Sequence, residues 1–183
     1  MTLYRTALEE LGAVADRLDD AAVDEACRMI SAARRVGVFG GGREGLQIRG
    51  FAMRLFHLGL DVAVVGDMTM PALGEGDLFL VTVGPGEIST ALALMGVAKA
   101  AGAKILFLTA QPQSRGAAMA DRVLTIPAQT MANDQGAAAT SVLPMGSLYE
   151  GALFLVFEIM VLKIRDILGV TPETMRANHT NME

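Results

Sequence analysis

VGVFGGGREGLQIRGFAMRLFHLGLDVAVVG, residues 36–66, decides the fold. It opens with a short apolar run, VGVFG, that ends in glycines and reads as a buried strand. A helical period follows over residues 45–57, with Ile48, Phe51, Ala52 and Leu55 on one face. DVAVVG, residues 61–66, is a second apolar run of strand length. Strand, glycine loop, helix and strand together form the unit from which parallel sheets are built.

The same alternation continues downstream. LFLVTVG (residues 78–84) predicts a third strand, residues 88–101 a helix, and AKILFLTA (residues 103–110) a fourth strand. After a short helical stretch, RVLTIP (residues 122–127) predicts a fifth. Upstream, Leu3, Ala7, Leu8, Leu11, Val14 and Leu18 recur at helical spacing. Val23, Ala26, Cys27, Ile30 and Ala33 do so again, with Asp19 and Asp20 placed between the two helices as a cap. Residues 128–143 have no clear period and read as a loop. A long apolar helix then runs to about Leu168, and Thr171-Pro172 reads as the cap and first position of a last short helix. The expectation is a single α/β domain over residues 1–183. It is a doubly wound five-stranded parallel sheet in the flavodoxin-like order 2-1-3-4-5, with N-terminal helices and a long apolar C-terminal helix.

Composition narrows the function classes. The 183 residues carry a net charge of −5 and no basic run, which argues against nucleic acid as a partner. One cysteine, Cys27, excludes an internal disulfide and a multi-cysteine zinc site, and fits a reducing compartment. The opening MTLYRTALEELG has no signal-peptide core, so a cytoplasmic protein is expected. Mean hydropathy is high at +0.41. The apolar stretch over residues 142–162 contains Pro144, Gly146, Ser147, Glu150 and Glu158. A charge at mid-bilayer costs about 2.5–3.5 kcal/mol, so this stretch reads as a helix buried all round, partly against another subunit, rather than as a membrane span.

In a sheet of order 2-1-3-4-5 the switch point lies between strands one and three, where ligands bind at the carboxyl ends. The loops there are GGGREG after strand one and GPGEIS after strand three. Each opens a helix, whose free N–H groups favour an anion or a polar oxygen. Gly40, Gly42 and Gly45 also fit G-x-G-x-x-G, with Asp67 22 residues beyond Gly45, the dinucleotide-binding spacing. Turn glycines without a ligand are the plainer alternative.

The chain resembles the sugar-isomerase (SIS) domain family, and within it the 6-phospho-3-hexuloisomerase group. GGGREGLQIRGFAMRLFHLGLDVAVVG is similar to the group's G-x-GRSG…AFAMRL-x-HLG segment, and TMPALGEGDLFLVTVGPGE to its TPAI-x-x-GDLLI-x-ISGSGET segment. Ser114 and the pair Ala120-Asp121 match residues before strand five; PMGSLYE resembles PMGS-x-FE, and the ending NHTNME resembles RHANLE. The resemblance implies a dimer or tetramer that isomerises a phosphorylated sugar through an enediolate, with no metal or organic cofactor. It implies Glu150 as the base and His179 as a residue serving ring opening. Gly41, Gly42, Arg43, Glu44, Gly84, Gly86, Glu87, Ser89 and Ser147 would then contact the ligand. Apolar neighbours of Glu150 would raise its pKa toward a working range. Glu150 could equally be an interface carboxylate paired with an arginine, His179 a tail residue, and His57 a structural residue at a helix end.

The departures from the pattern fall on the anion site. The serine of GRSG is Glu44, and the hydroxyls of SGSGET are Val83, Pro85 and Ile88, so four hydroxyl donors are absent. Pro85 also lacks an N–H. A hydrogen bond to a charged group is worth about 1.5–3 kcal/mol, so losing two weakens phosphate binding on the order of a hundredfold. A Glu44 carboxylate beside phosphate adds repulsion, while Arg43, Ser89 and Thr90 remain nearby to offset it. Three readings follow: a sugar-phosphate isomerase with altered phosphate contacts; an isomerase of a sugar with another group facing Glu44; and a non-catalytic sensor or subunit that binds a sugar derivative. A dinucleotide-binding protein is a fourth.

Overall fold

The structure is a computed structural model that describes residues 2–182; Met1 and Glu183, the last residue of the NHTNME ending, lie outside these. Two helices open the chain, α1 (Leu3–Ala15) and α2 (Asp20–Ala32). Thr2 caps the first by accepting the Arg5 N–H, and Asp19 caps the second by accepting from Ala21 and Ala22. The sheet follows as β1 (Val36–Gly40), β2 (Val62–Val64), β3 (Leu78–Thr82), β4 (Lys104–Thr109) and β5 (Arg122–Thr125). All pairings are parallel, and the order is β2-β1-β3-β4-β5, as the sequence predicts. The strands are shorter than the apolar runs because the run ends turn out of the sheet. Val83 and Gly84, for example, leave β3, and the Val83 carbonyl accepts the Gly86 N–H in a turn.

Between the strands lie α3 (Glu44–His57), α4 (Ser89–Ala100) and α5 (Arg115–Met119). Residues 126–146 carry only a short 3-10 turn (Gly136–Ala138) before α6 (Ser147–Leu168) and α7 (Pro172–Ala177). Successive strand side chains point to opposite faces, and the core divides accordingly. Leu78, Leu80, Leu106 and Leu108 join one cluster with α1, α2, α3 and α6. Phe79, Val81, Ile105 and Phe107 join the other with α4 and α5. Phe51 of α3 stacks on Phe157 of α6, with ring centroids 4.4 Å apart.

Within the chain α6 is covered on one side: Leu153, Phe157 and Met160 are in the core, while Phe154, Leu155, Ile159 and Leu162 are exposed and form the face that the sequence reading assigns to another subunit. A hydrophobic stretch without polar alternation does not reveal which side lacks a covering element. Among the described residues no helix is long and apolar enough to cross a membrane.

Candidate active site

The carboxyl ends of β1 and β3 and the amino end of α6 enclose a cleft of about 470 Å³, within the range of small-molecule sites. Gly41, Gly42, Arg43 and Glu44 line it from the first glycine loop, Pro85 and Ile88 from the second, and Gly146, Tyr149 and Glu150 from α6. A larger hollow of about 560 Å³ lies at the opposite, amino ends of the strands, where doubly wound sheets do not place their ligands. Two glycines have conformational reasons for their place: Gly42 at φ 54 and Gly86 at φ 90 hold the left-handed backbone that turns each loop.

Three helices begin at this cleft, and none is capped by a side chain. The residues before them are Arg43 for α3, Ile88 for α4 and Gly146 for α6, and all three line the cleft without a side-chain cap bond. The other four α-helices are capped, by Thr2, Asp19, Ser114 and Thr171. The first turns of α4 and α6 therefore face one space. The first-turn N–H groups of α3 are taken up by its own loop, Glu44, Gly45 and Leu46 donating to the Gly41, Gly42 and Arg43 carbonyls at 3.1, 3.1 and 3.0 Å. The helix dipoles make the space attractive to an anion.

Charged side chains complete the wall. Arg43 grips Glu150 with two contacts, its Nε donating to Oε1 at 3.1 Å and an Nη lying 3.0 Å from Oε2. The same guanidinium donates to the Met145 carbonyl at 3.0 Å and the Ser147 hydroxyl at 3.1 Å, which ties the first loop to the start of α6. Burial raises the Glu150 carboxyl above its ordinary value, while the Arg43 guanidinium pulls it the other way.

Glu44 does not stand in the cleft as a freely solvated charge. It is 7% exposed and turns beneath the second loop, where the Gly84 N–H donates to its two oxygens at 2.9 and 3.0 Å. The Thr82 hydroxyl donates to Oε2 at 2.8 Å, and the Tyr149 hydroxyl lies 3.1 Å from that of Thr82. Burial pushes the Glu44 carboxyl up to about 7, against the pull of those hydrogen bonds. The Tyr149 phenol is raised well above its ordinary value, chiefly by burial and then by the Glu44 charge.

The remaining sequence-predicted residues fall around this centre or away from it. Ser147 joins through Arg43, and Gly84 through Glu44, though neither lines the cleft. Gly86 packs toward Ser114; Glu87 is turned to α5, where it accepts the Arg115 N–H at 3.1 Å; Ser89 is exposed at the start of α4. His179 lies elsewhere. Its ring stacks on His57 at 5.0 Å beside Val161 and Arg165 of α6, some 11 residues past Glu150, or about 17 Å along the helix axis. Asp67 of the dinucleotide spacing lies 3.7 Å from Arg49, and Gly40 and Gly45 pack on each other's backbone, which leaves those glycines a structural reason of their own. Among the described residues no group of three or more potential ligands gathers to hold a metal ion.

Sequence reasoning missed Thr82, Thr130 and Tyr149. The only signal for them was polarity inside otherwise apolar segments, since each is buried.

A doubly wound sheet with two glycine loops and a carboxylate at the switch point defines the class: residues 29–155 match the model of the SIS domain, and the chain belongs to that family. Among its relatives, the 3-hexulose-6-phosphate isomerase of Mycobacterium gastri is 39% identical over 175 residues, spanning 96% of this chain and 87% of that protein. The 3-hexulose-6-phosphate isomerase of Bacillus subtilis is 32% identical over 176 residues, spanning 96% and 95%. A crystal structure from Methanococcus jannaschii, reported as inferring a 3-hexulose-6-phosphate isomerase function, shares the fold with a TM-score of 0.84 at 22% identity, covering 98% of both chains.

Proposed function

We propose that this chain is a phosphosugar isomerase that interconverts a 3-hexulose 6-phosphate and fructose 6-phosphate. The observation that carries the reading is the convergence of three side-chain-uncapped helix ends on a cleft that also holds a partly buried carboxylate. The α4 and α6 ends supply N–H donors for an anionic group and for a developing oxyanion, and the α3 end adds its dipole. Glu150 is the base. It takes the proton from the carbon bearing the hydroxyl, the electron pair forms the enediolate double bond, and the adjacent carbonyl oxygen gains the negative charge. The hydroxyl proton passes to the oxygen that gained the charge, and the carbon-bound proton returns to the neighbouring carbon as the second carbonyl forms, so no redox partner is consumed. Arg43 holds the carboxylate in place through its two contacts. The names of the relatives support the choice of substrate.

Proton exchange in D₂O tests this. With fructose 6-phosphate, deuterium should enter at the carbon beside the carbonyl, visible by NMR, and Glu150→Gln should abolish it. Exchange with fructose but not its phosphate would move the reading to an unphosphorylated sugar. No exchange with either, or with added 3-hexulose 6-phosphate, would leave a binding protein.

A further inference from the structure

Two departures from the family pattern meet at one buried point. Glu44 stands where the pattern has serine, and Tyr149 where it has phenylalanine. Thr82 bridges them, with its hydroxyl 2.8 Å from the Glu44 carboxylate and 3.1 Å from the Tyr149 phenol. Packing does not call for the Tyr149 hydroxyl, since a phenylalanine ring has the same shape without it. A buried carboxylate is costly unless it is compensated. Among the described residues, Glu44 is met by hydrogen bonds from Gly84 and Thr82, not by a cation. The guanidinium of Arg43, its chain neighbour, is engaged with Glu150. The Gly84 N–H, a donor on the second glycine loop, is therefore already satisfied by a negative group that belongs to the protein.

We propose that Glu44 is a specificity determinant of the cleft: its carboxylate, held on the Gly84 amide behind the wall, lines the cleft beneath the second loop and makes the space there unfavourable for an anion, so that a neutral hydroxyl-bearing part of the sugar lies there. This rests on the isomerase reading for the identity of the ligand as a sugar, though not for the effect on anions. The phosphate of a phosphosugar is then held by first-turn N–H groups of α4 and α6, away from Glu44. Glu44 acts as a positioning charge and takes no part in bond making.

The test uses sulfate, an anion whose own charge does not change near neutrality, and follows its binding to the full chain by calorimetry. Measurements are made at about pH 6 and about pH 8.5, on either side of the Glu44 titration at about 7. Glu44→Gln keeps the shape and removes the charge; Glu44→Ser also frees the Gly84 N–H. Each should bind sulfate about tenfold or more tightly than the parent at the higher pH, one unit of coupling between two charges. The gap should narrow at the lower pH, where the parent's carboxyl takes up a proton. The other charged or titratable groups facing Glu44 are Glu150, Arg43 and Tyr149, and they are unchanged in both variants. A purely structural Glu44 would move melting temperature without moving this pH-dependent gap. Equal sulfate affinity for parent and Glu44→Gln at both pH values overturns the proposal, even if Glu44→Ser fails to fold. Deuterium exchange into fructose 6-phosphate without the sulfate gap overturns Glu44's role and leaves the isomerase reading; the gap without exchange does the reverse.

Discussion

The Arg43 guanidinium and the Glu150 carboxylate face each other at the mouth of the cleft, with contacts of 3.1 and 3.0 Å, and Arg43 pulls the pKa of Glu150 down against the effect of burial. If Glu150 is the base, Arg43 sets the pH at which it becomes active. Arg43→Met removes the lowering partner, so the Glu150 pKa rises. The acidic limb of the kcat/KM profile should then move to higher pH by about one unit, at the low end of what an adjacent cation contributes. A profile that keeps its limb while KM rises would assign Arg43 to ligand binding alone.

Glu44 makes a separate prediction for stability. Its folded pKa, about 7, lies above the ordinary carboxylate value of 4.5, so between these values the folded state binds more protons than the unfolded chain. Its contribution is therefore fully present below the unfolded value and is lost as pH rises through about 7. The loss amounts to at most about 3 kcal/mol. Urea unfolding of the parent should show this decline between about pH 5 and pH 8, and Glu44→Gln should show a smaller one, the part that belongs to Glu150. A parent curve that runs parallel to the Glu44→Gln curve over that window would mean the carboxylate titrates as it does in water.

The contrast between these two carboxylates shows what the sequence revealed and what it withheld. The strand order was legible because continuous apolar runs such as LFLVT and KILFLT alternate with helical periods, and few connections satisfy that pattern. Glycines after strands one and three located the cleft for the same topological reason. The side chain of Glu44 was not legible. From the sequence it reads as a charge facing an anion, but it reaches Gly84, 40 residues away, and pairing across that distance depends on the rotamer and loop path. Tyr149 was hidden by its likeness to phenylalanine, since only its hydroxyl, set 3.1 Å from Thr82, distinguishes it. Glu87 and His179 were placed by motif, yet their local partners, the Arg115 N–H and the His57 ring, are set by tertiary packing.

Gly84 permits a close approach that a larger residue would prevent. A Cβ built there would lie 2.8 and 3.0 Å from the Tyr149 ring and 3.1 Å from the Thr130 methyl group. The ring is fully buried and cannot swing into solvent. Gly84→Ala should cost about 1–3 kcal/mol in chemical denaturation, the range for overpacking. The Tyr149→Leu background, which removes the rigid ring, should reduce that cost; an unchanged cost there would place the strain elsewhere.

The outer face of α6 supports a prediction about assembly. Phe154 is 60% exposed, and Leu155, Ile159 and Leu162 continue an apolar stripe along one side of the helix. Single exposed apolar residues are ordinary, but a contiguous stripe on a helix is the composition of an interface. We expect self-association through this face, so light scattering without detergent should give a mass above 19.3 kDa for the parent. Phe154→Glu combined with Ile159→Glu should return the mass to that of the single chain and leave the fold intact, because neither side chain belongs to the core clusters. Burial of two carboxylates without partners would oppose association strongly. A parent that remains at the single-chain mass across a hundredfold range of concentration, up to well above micromolar, would show that the stripe serves no contact between copies.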